Sequence, residues 1–193
     1  MSQPAVILAS TSAYRAALLR RLLDTFTQAS PGTDESALEG EAPAARALRL
    51  AEAKARVVAS ANPGCVVIGS DQVADLNGTV LDKPGTVDAA QRQLQASSGN
   101  EVVFHTAVCV IDAKGDAHGY RDETRVTFRT LTHDDIARYI ERERPLDCAG
   151  SFKCEGLGIT LFERIANDDP TALVGLPLIA TSRLLRAAGI ALP

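Results

Sequence analysis

AVILASTSAYRAALLRRLL, residues 5–23, changes its hydrophobic period once. Residues 5–9 form a short unbroken apolar run, as a buried strand does. Ser10-Thr11-Ser12 interrupts it. Leu18, Leu19, Leu22 and Leu23 then recur at helical spacing, which predicts an amphipathic helix over 13–23. Residues 25–30 read as a second strand. A strand, a loop, a helix and a strand are the usual opening of an α/β fold.

Outward from this opening, residues 31–42 are polar and carry Gly, Pro and acids, so they read as a loop. A long Ala-, Leu- and Arg-rich helix is predicted over 43–61, stopped by Pro63-Gly64. Residues 66–69 read as a short buried strand that runs out into Ser70-Asp71-Gln72. Asn77-Gly78 marks a hairpin and Lys83-Pro84-Gly85 a second turn. Residues 87–97 read as a helix. Residues 102–111 and 125–128 read as antiparallel strands joined across Lys114-Gly115-Asp116. Thr132 caps a helix to about 142, with Asp134 and Asp135 in its first turn. Residues 150–162 read as Gly-rich and irregular, and a last helix over 178–188 ends at Gly189. The expected architecture is one α/β domain over residues 1–193. Its mixed central sheet is flanked by helices, with two lobes and a cleft between them, a natural ligand site.

Composition bounds the function. The 193 residues are enough to bury a core. A net charge of −4 argues against a nucleic-acid or anionic-membrane partner, which needs a broad basic face. It leaves a small polyphosphate open, since that needs only a few converging cations. Cys65, Cys109, Cys148 and Cys154 form no C-x-x-C pair and no zinc spacing, so reduced thiols are expected. The start of the chain has no basic leader, and no run is long enough to span a bilayer, which makes the cytoplasm the expected location.

Two segments carry the candidate chemistry. At Ser10-Thr11-Ser12-Ala13-Tyr14-Arg15 a strand ends where a helix begins, so backbone N–H groups, two hydroxyls and a planar cation meet in a ready anion site. The ordinary alternative is that Ser12 is only a cap and Arg15 a solvated charge. At Gly69-Ser70-Asp71-Gln72 an acid follows an apolar strand, where open α/β sheets bind ligands. Asp71 would there hold a divalent metal or orient a water, or else occupy an ordinary turn. Asp34-Glu35, Lys54 and Lys83 are unremarkable singly, although Pro84 restrains the backbone of Lys83. Neither a dinucleotide fingerprint nor a P-loop is present.

As a set these residues resemble the Maf (septum formation) family of nucleotide pyrophosphatases. Ser10-x-Ser12-x-x-Arg15 before Leu18-Leu19, then Asp34-Glu35, Ala53-Lys54-Ala55, Gly69-Ser70-Asp71-Gln72, Lys83-Pro84, Gly150-Ser151-Phe152-Lys153 and Leu173-Val174-Gly175-Leu176-Pro177 follow the family's order. The resemblance implies a fold similar to that of inosine-triphosphate pyrophosphatases and hydrolysis of a nucleoside triphosphate at the α-phosphate, with a divalent metal cation such as Mg or Mn. It implies that Ser10, Ser12, Arg15, Lys54 and Lys83 contact phosphates, that Asp71 accepts the proton from water, and that Glu35 and Asp71 hold the metal. A homodimer is the assembly it implies. Tyr14, Gln72 and Glu155 match positions tied to base choice, and with Lys153-x-Glu155 they resemble the subgroup acting on 7-methyl-GTP. The chemistry agrees, since an N7-methylated guanine is cationic and suits an aromatic face and a carboxylate. The alternatives are a dTTP/UTP or broad modified-nucleotide pyrophosphatase of the same family, and a nucleotide-binding regulator of septum formation that does not hydrolyse.

Overall fold

Val6–Leu8 forms β1 and is buried throughout, which is why this run holds no polar residue. In a computed structural model, which describes residues 3–193, β1 pairs in parallel with β2 (Thr27–Gln28) and with β3 (Val66–Leu76). The remaining pairings are antiparallel: β3 with β4 (Thr79–Val80) and with β5 (Glu101–Ile111), β5 with β6 (Ala117–Phe128), and β6 with β7 (Phe162–Ala166). The result is one mixed seven-stranded sheet in the order β2-β1-β3-β5-β6-β7, with β4 attached to β3. The β3–β4 hairpin turns on Asn77 and Gly78, both at positive φ, as a two-residue turn between twisted strands requires. Met1 and Ser2, the first residues of the stretch expected to carry no basic leader, lie outside the described residues.

Helices flank both faces. Even-numbered residues of β5 point toward α1 (Ala13–Leu19) and α5 (Leu178–Ala187) at one end of the sheet, where Val108 and Val110 join the core. At the other end Val102 and Phe104 meet α3 (Val87–Ser97) and α4 (His133–Glu143). The opposite face receives α2 (Pro43–Ala61), against Ala107, Cys109 and Ile111. The long strands β3 and β5 thus run through two lobes, and the cleft opens over their middle. All four cysteines are unpaired.

Local expectations needed correction where packing overrode pattern. The first helix ends at Leu19, four residues early. Leu22 and Leu23 still pack on the core, but from a turn closed by the bonds of Arg21 N–H to Leu18 O and Leu22 N–H to Leu19 O. The second strand holds only Thr27–Gln28. β3 does not run out at Gly69 but continues to Leu76, so Asp71 is a mid-strand residue opposite Ala107. β6 starts at Ala117 rather than 125, because its charged residues Arg121, Glu123 and Arg125 alternate onto the face that α2 leaves open. Short 3-10 turns occupy much of 149–161, and β7 follows.

Gly69 sets the approach of α2. A Cβ there would lie 2.2 Å from Ala51 O and 2.7 Å from Ala55 N, so only glycine lets the helix backbone settle on β3. That contact places Lys54, from the helix, beside Asp71, from the strand.

Candidate active site

Three charged groups meet where α2 crosses β3. The Lys54 ammonium lies 2.6 Å from Asp71 Oδ1 and 2.7 Å from Glu35 Oε1. The Lys54 and Asp71 side chains are 6% and 9% exposed, whereas Glu35 is 58% exposed, so the trio runs from the sheet out to the cleft mouth. Burial pushes the Asp71 carboxyl above the ordinary aspartate range; Lys54 and Arg15 oppose this, and Glu35 adds to it. Burial also acts upward on Glu35, but Lys54, Lys83 and Arg15 outweigh it and hold that carboxyl low. The two acids therefore differ in basicity, and the buried one is the better proton acceptor.

The loop before α2 supplies Glu35 through its own bonding. Asp34 turns inward on Ser36 N–H, 2.9 Å away, which leaves Glu35 to face Lys54. Arg46 donates to the Glu35 carbonyl at 3.0 Å, and Arg49 donates to Ser36 O at 3.1 Å. Glu41 grips Arg49 in turn, which holds the Glu41 carboxyl down at about 2.

At the end of β1, Ser10 Oγ accepts from Ser12 N–H, and Ser12 Oγ accepts from Arg15 N–H as the cap of α1. Both hydroxyls keep their protons for donation to an anion. Gln28 of β2 donates to Ser10 O, which fixes the corner. Arg15 is held by its Nε, which donates to Gly175 O at 2.9 Å, and Ser70 Oγ donates to the same oxygen at 3.0 Å. Burial lowers the Arg15 pKa, opposed by Asp71 and Glu35, and the guanidinium remains a cation.

These side chains share one cleft of about 740 Å³, whose wall includes Ser10, Ser12, Tyr14, Arg15, Glu35, Lys54, Asp71, Gln72 and Lys83. A smaller pocket of about 110 Å³ adjoins it. Ser12, Tyr14, Arg15, Gln72 and Lys83 line both, while Glu155, Phe104 and Phe152 line the small one alone. The ten residues given a role on the sequence, Ser10, Ser12, Tyr14, Arg15, Glu35, Lys54, Asp71, Gln72, Lys83 and Glu155, thus lie on one continuous surface, while Asp34 and Lys153 line neither compartment. Gln72 Nε2 donates to Thr106 Oγ1, Ala172 O and Leu173 O at 2.9–3.1 Å, so its Oε1 is the end that remains as an acceptor. The Tyr14 hydroxyl is 3.5 Å from Asp147 Oδ2, and burial raises its pKa.

Sequence reasoning missed Arg46 and Asp147. Arg46 lines the cleft, with NH2 3.5 Å from Asp82 Oδ1. Its spacing of eight residues from Lys54, about two helical turns, was the available signal. Asp147 lines both compartments and carries no local signal. Among the described residues, no three or more His, Cys, Asp or Glu side chains gather as metal ligands.

A model of Maf-like proteins matches residues 5–188. This chain belongs to the Maf family. It is similar to the 7-methyl-GTP pyrophosphatase of Aromatoleum aromaticum, 57% identical over 97% of both chains. The 7-methyl-GTP pyrophosphatase of Xanthomonas oryzae pv. oryzae is 58% identical over 98% of this chain and all of its own. That of Albidiferax ferrireducens is 53% identical over 98% of each. A solved nucleoside-triphosphatase / dITP/XTP pyrophosphatase from Mycobacterium abscessus overlays on 96% of this chain and 94% of its own, at 14% identity and a TM-score of 0.48, a likeness too slight to carry fold or function. Among the described residues of the Maf chain, no helix is long and apolar enough to cross a membrane.

Proposed function

We propose that this Maf-family chain hydrolyses a nucleoside triphosphate at the α-phosphate, releasing the monophosphate and pyrophosphate, and that its substrate is 7-methyl-GTP. The observation that carries the reading is Lys54 held between Asp71 and Glu35, in a cleft that also gathers Arg15, Lys83 and the Ser10 and Ser12 hydroxyls. The names of the relatives support the same activity.

In this mechanism the cations and hydroxyls bind the phosphate oxygens and stabilise the charge that builds as water attacks phosphorus. Asp71 takes the proton of that water. Its raised pKa makes it a stronger base than an exposed carboxylate. The oxygen of water bonds to the α-phosphorus, the bond to the bridging oxygen breaks, and pyrophosphate leaves with that electron pair.

A divalent cation fits the donor set. Asp71 and Glu35 converge on one point, filled by the Lys54 ammonium, so a divalent cation would share the two carboxylates as that ammonium turns onto phosphate; a magnesium ion is usually held by one or two carboxylates completed by substrate phosphates. Asp71 and Glu35 would hold it, and it would neutralise phosphate charge and make a water more acidic.

The small pocket suits the base. Tyr14 offers an aromatic face, Glu155 a carboxylate, and Gln72 an acceptor for a guanine N–H. A cationic N7-methylated ring gains from the first two beyond what guanine gains. The test is pyrophosphate release from 7-methyl-GTP, GTP, UTP and dTTP, with and without a divalent cation and with Asp71→Asn as control. The reading expects cation-dependent release, fastest from 7-methyl-GTP and lost in the variant. Preference for UTP or dTTP refutes the substrate, and binding without release from any nucleotide refutes the reaction.

A further inference from the structure

Gln93 of α3 is absent from the cleft wall, yet its side-chain amide holds two segments that form that wall. Its Nε2 donates to the Asp82 carbonyl at 2.8 Å, one residue before Lys83. Its Oε1 accepts from Ser151 Oγ, two residues after Ala149 and one before Phe152, both on the small pocket. Two backbone bonds join the same segments, Gly150 N–H to Leu81 O at 3.1 Å and Gly85 N–H to Leu146 O at 3.0 Å. The donor end of the amide meets a carbonyl and its acceptor end meets a hydroxyl; a flip would set oxygen against the Asp82 carbonyl and lose that bond, which fixes the amide's orientation. Ser151 is fully buried at φ +61°, a backbone conformation a side-chain-bearing residue keeps only when its surroundings impose it.

We propose that Gln93 is a positioning residue that couples Lys83, the arm reaching the polyphosphate, to the pocket that takes the base. A base that seats correctly between Tyr14 and Glu155 fixes the 147–155 segment, and Gln93 carries that placement to Asp82 and Lys83. Base identity is thereby read in phosphate binding as well as in base contacts. Gln93 itself touches neither. The inference rests on the pyrophosphatase reading above.

The test is steady-state hydrolysis of 7-methyl-GTP and GTP by the full chain, by Gln93→Leu and by Ser151→Gly, each with and without Lys83→Ala. Gln93→Leu should raise KM for both nucleotides about threefold to tenfold, the range of one net hydrogen bond. It should also shrink the kcat/KM preference between them. Lys83→Ala should then cost less in the Gln93→Leu background than in the parent, because coupled residues are not additive. Ser151→Gly suits the left-handed backbone and keeps the bond to Asp82; it should shrink the base preference while Lys83→Ala keeps nearly its full cost. The coupling is overturned if Lys83→Ala costs the same with and without Gln93 and the base preference is unmoved. It is equally overturned if Gln93→Leu loses only kcat, in step with its folded fraction. Should Gln93→Leu not fold, an unchanged base preference in Ser151→Gly overturns it alone. A parent that releases no pyrophosphate overturns the reaction as well, whereas an active parent with additive variants overturns only the coupling.

Discussion

At Asp71 two opposing influences set one ionisation: burial raises the pKa, and the Lys54 ammonium at 2.6 Å lowers it. The net shift is upward, so Asp71 is protonated in a pH range where an exposed aspartate is already ionised. A base must be ionised to accept a proton, so kcat/KM falls as pH drops through this raised value. Lys54→Met removes the lowering influence and keeps the buried stem; the acidic limb of the kcat/KM profile should move to higher pH. An unmoved limb would separate Lys54 from the ionisation of Asp71. Asp71→Asn should cost at least about a hundredfold in kcat, the lower range for a general base, while its circular dichroism stays that of the parent. Glu155→Gln keeps the shape and removes the charge, so it should cost kcat/KM more for 7-methyl-GTP than for GTP; equal losses would leave Glu155 without a part in reading the charged ring. At this scale Ser10, Ser12, Arg15 and Asp71 were legible as candidates from the sequence pattern, whereas Glu35, Lys54 and Lys83 were legible only through resemblance. Lys54 looks like any helical lysine, and nothing near it in sequence shows that it is 6% exposed. Arg46 had only its helical spacing from Lys54 as a signal, and Gln93 acts through partners at Asp82 and Ser151 that local pattern does not encode.

Among the elements, the α2–β3 contact decides whether the charged trio exists. Gly69→Ala would drive a methyl group into Ala51 O and Ala55 N, both backbone, so the helix must move off the strand. The expected cost is about 1–3 kcal/mol of stability, read by urea unfolding, with loss of activity because Lys54 leaves Asp71. Full activity at unchanged stability would contradict this account of the helix seat. The elements were also the scale at which the sequence spoke best. α2 and α3 fall where their apolar spacing and stop signals put them, because Pro43 opens one and Thr86 caps the other. β3 and β6 ran longer than expected for a physical reason. In their outer halves polar residues break the apolar run, Asp71, Gln72 and Asp75 in one and Arg121 to Arg125 in the other, and a strand that serves a site or faces water lacks the unbroken run that announces it.

Across the whole molecule, an acidic chain gathers a balanced set of charges at its cleft. The chain carries −4, and in the cleft Arg15, Arg46, Lys54 and Lys83 face Glu35, Asp71, Asp82 and Asp147, so a polyphosphate meets individual cations and not a net positive field. Attraction of a polyanion to those cations is screened within about 8 Å at physiological ionic strength. Added salt should therefore raise KM for the triphosphate while kcat changes little; a KM indifferent to salt would contradict the converging Arg and Lys side chains as the binding device. The measurement that bears most directly on the reaction itself is hydrolysis of 7-methyl-GTP in oxygen-18 water, with the two products weighed by mass spectrometry. Attack at the α-phosphorus, with Asp71 receiving the proton, puts one oxygen-18 atom in 7-methyl-GMP and none in pyrophosphate. Label in the pyrophosphate, or release of orthophosphate in its place, would contradict the account.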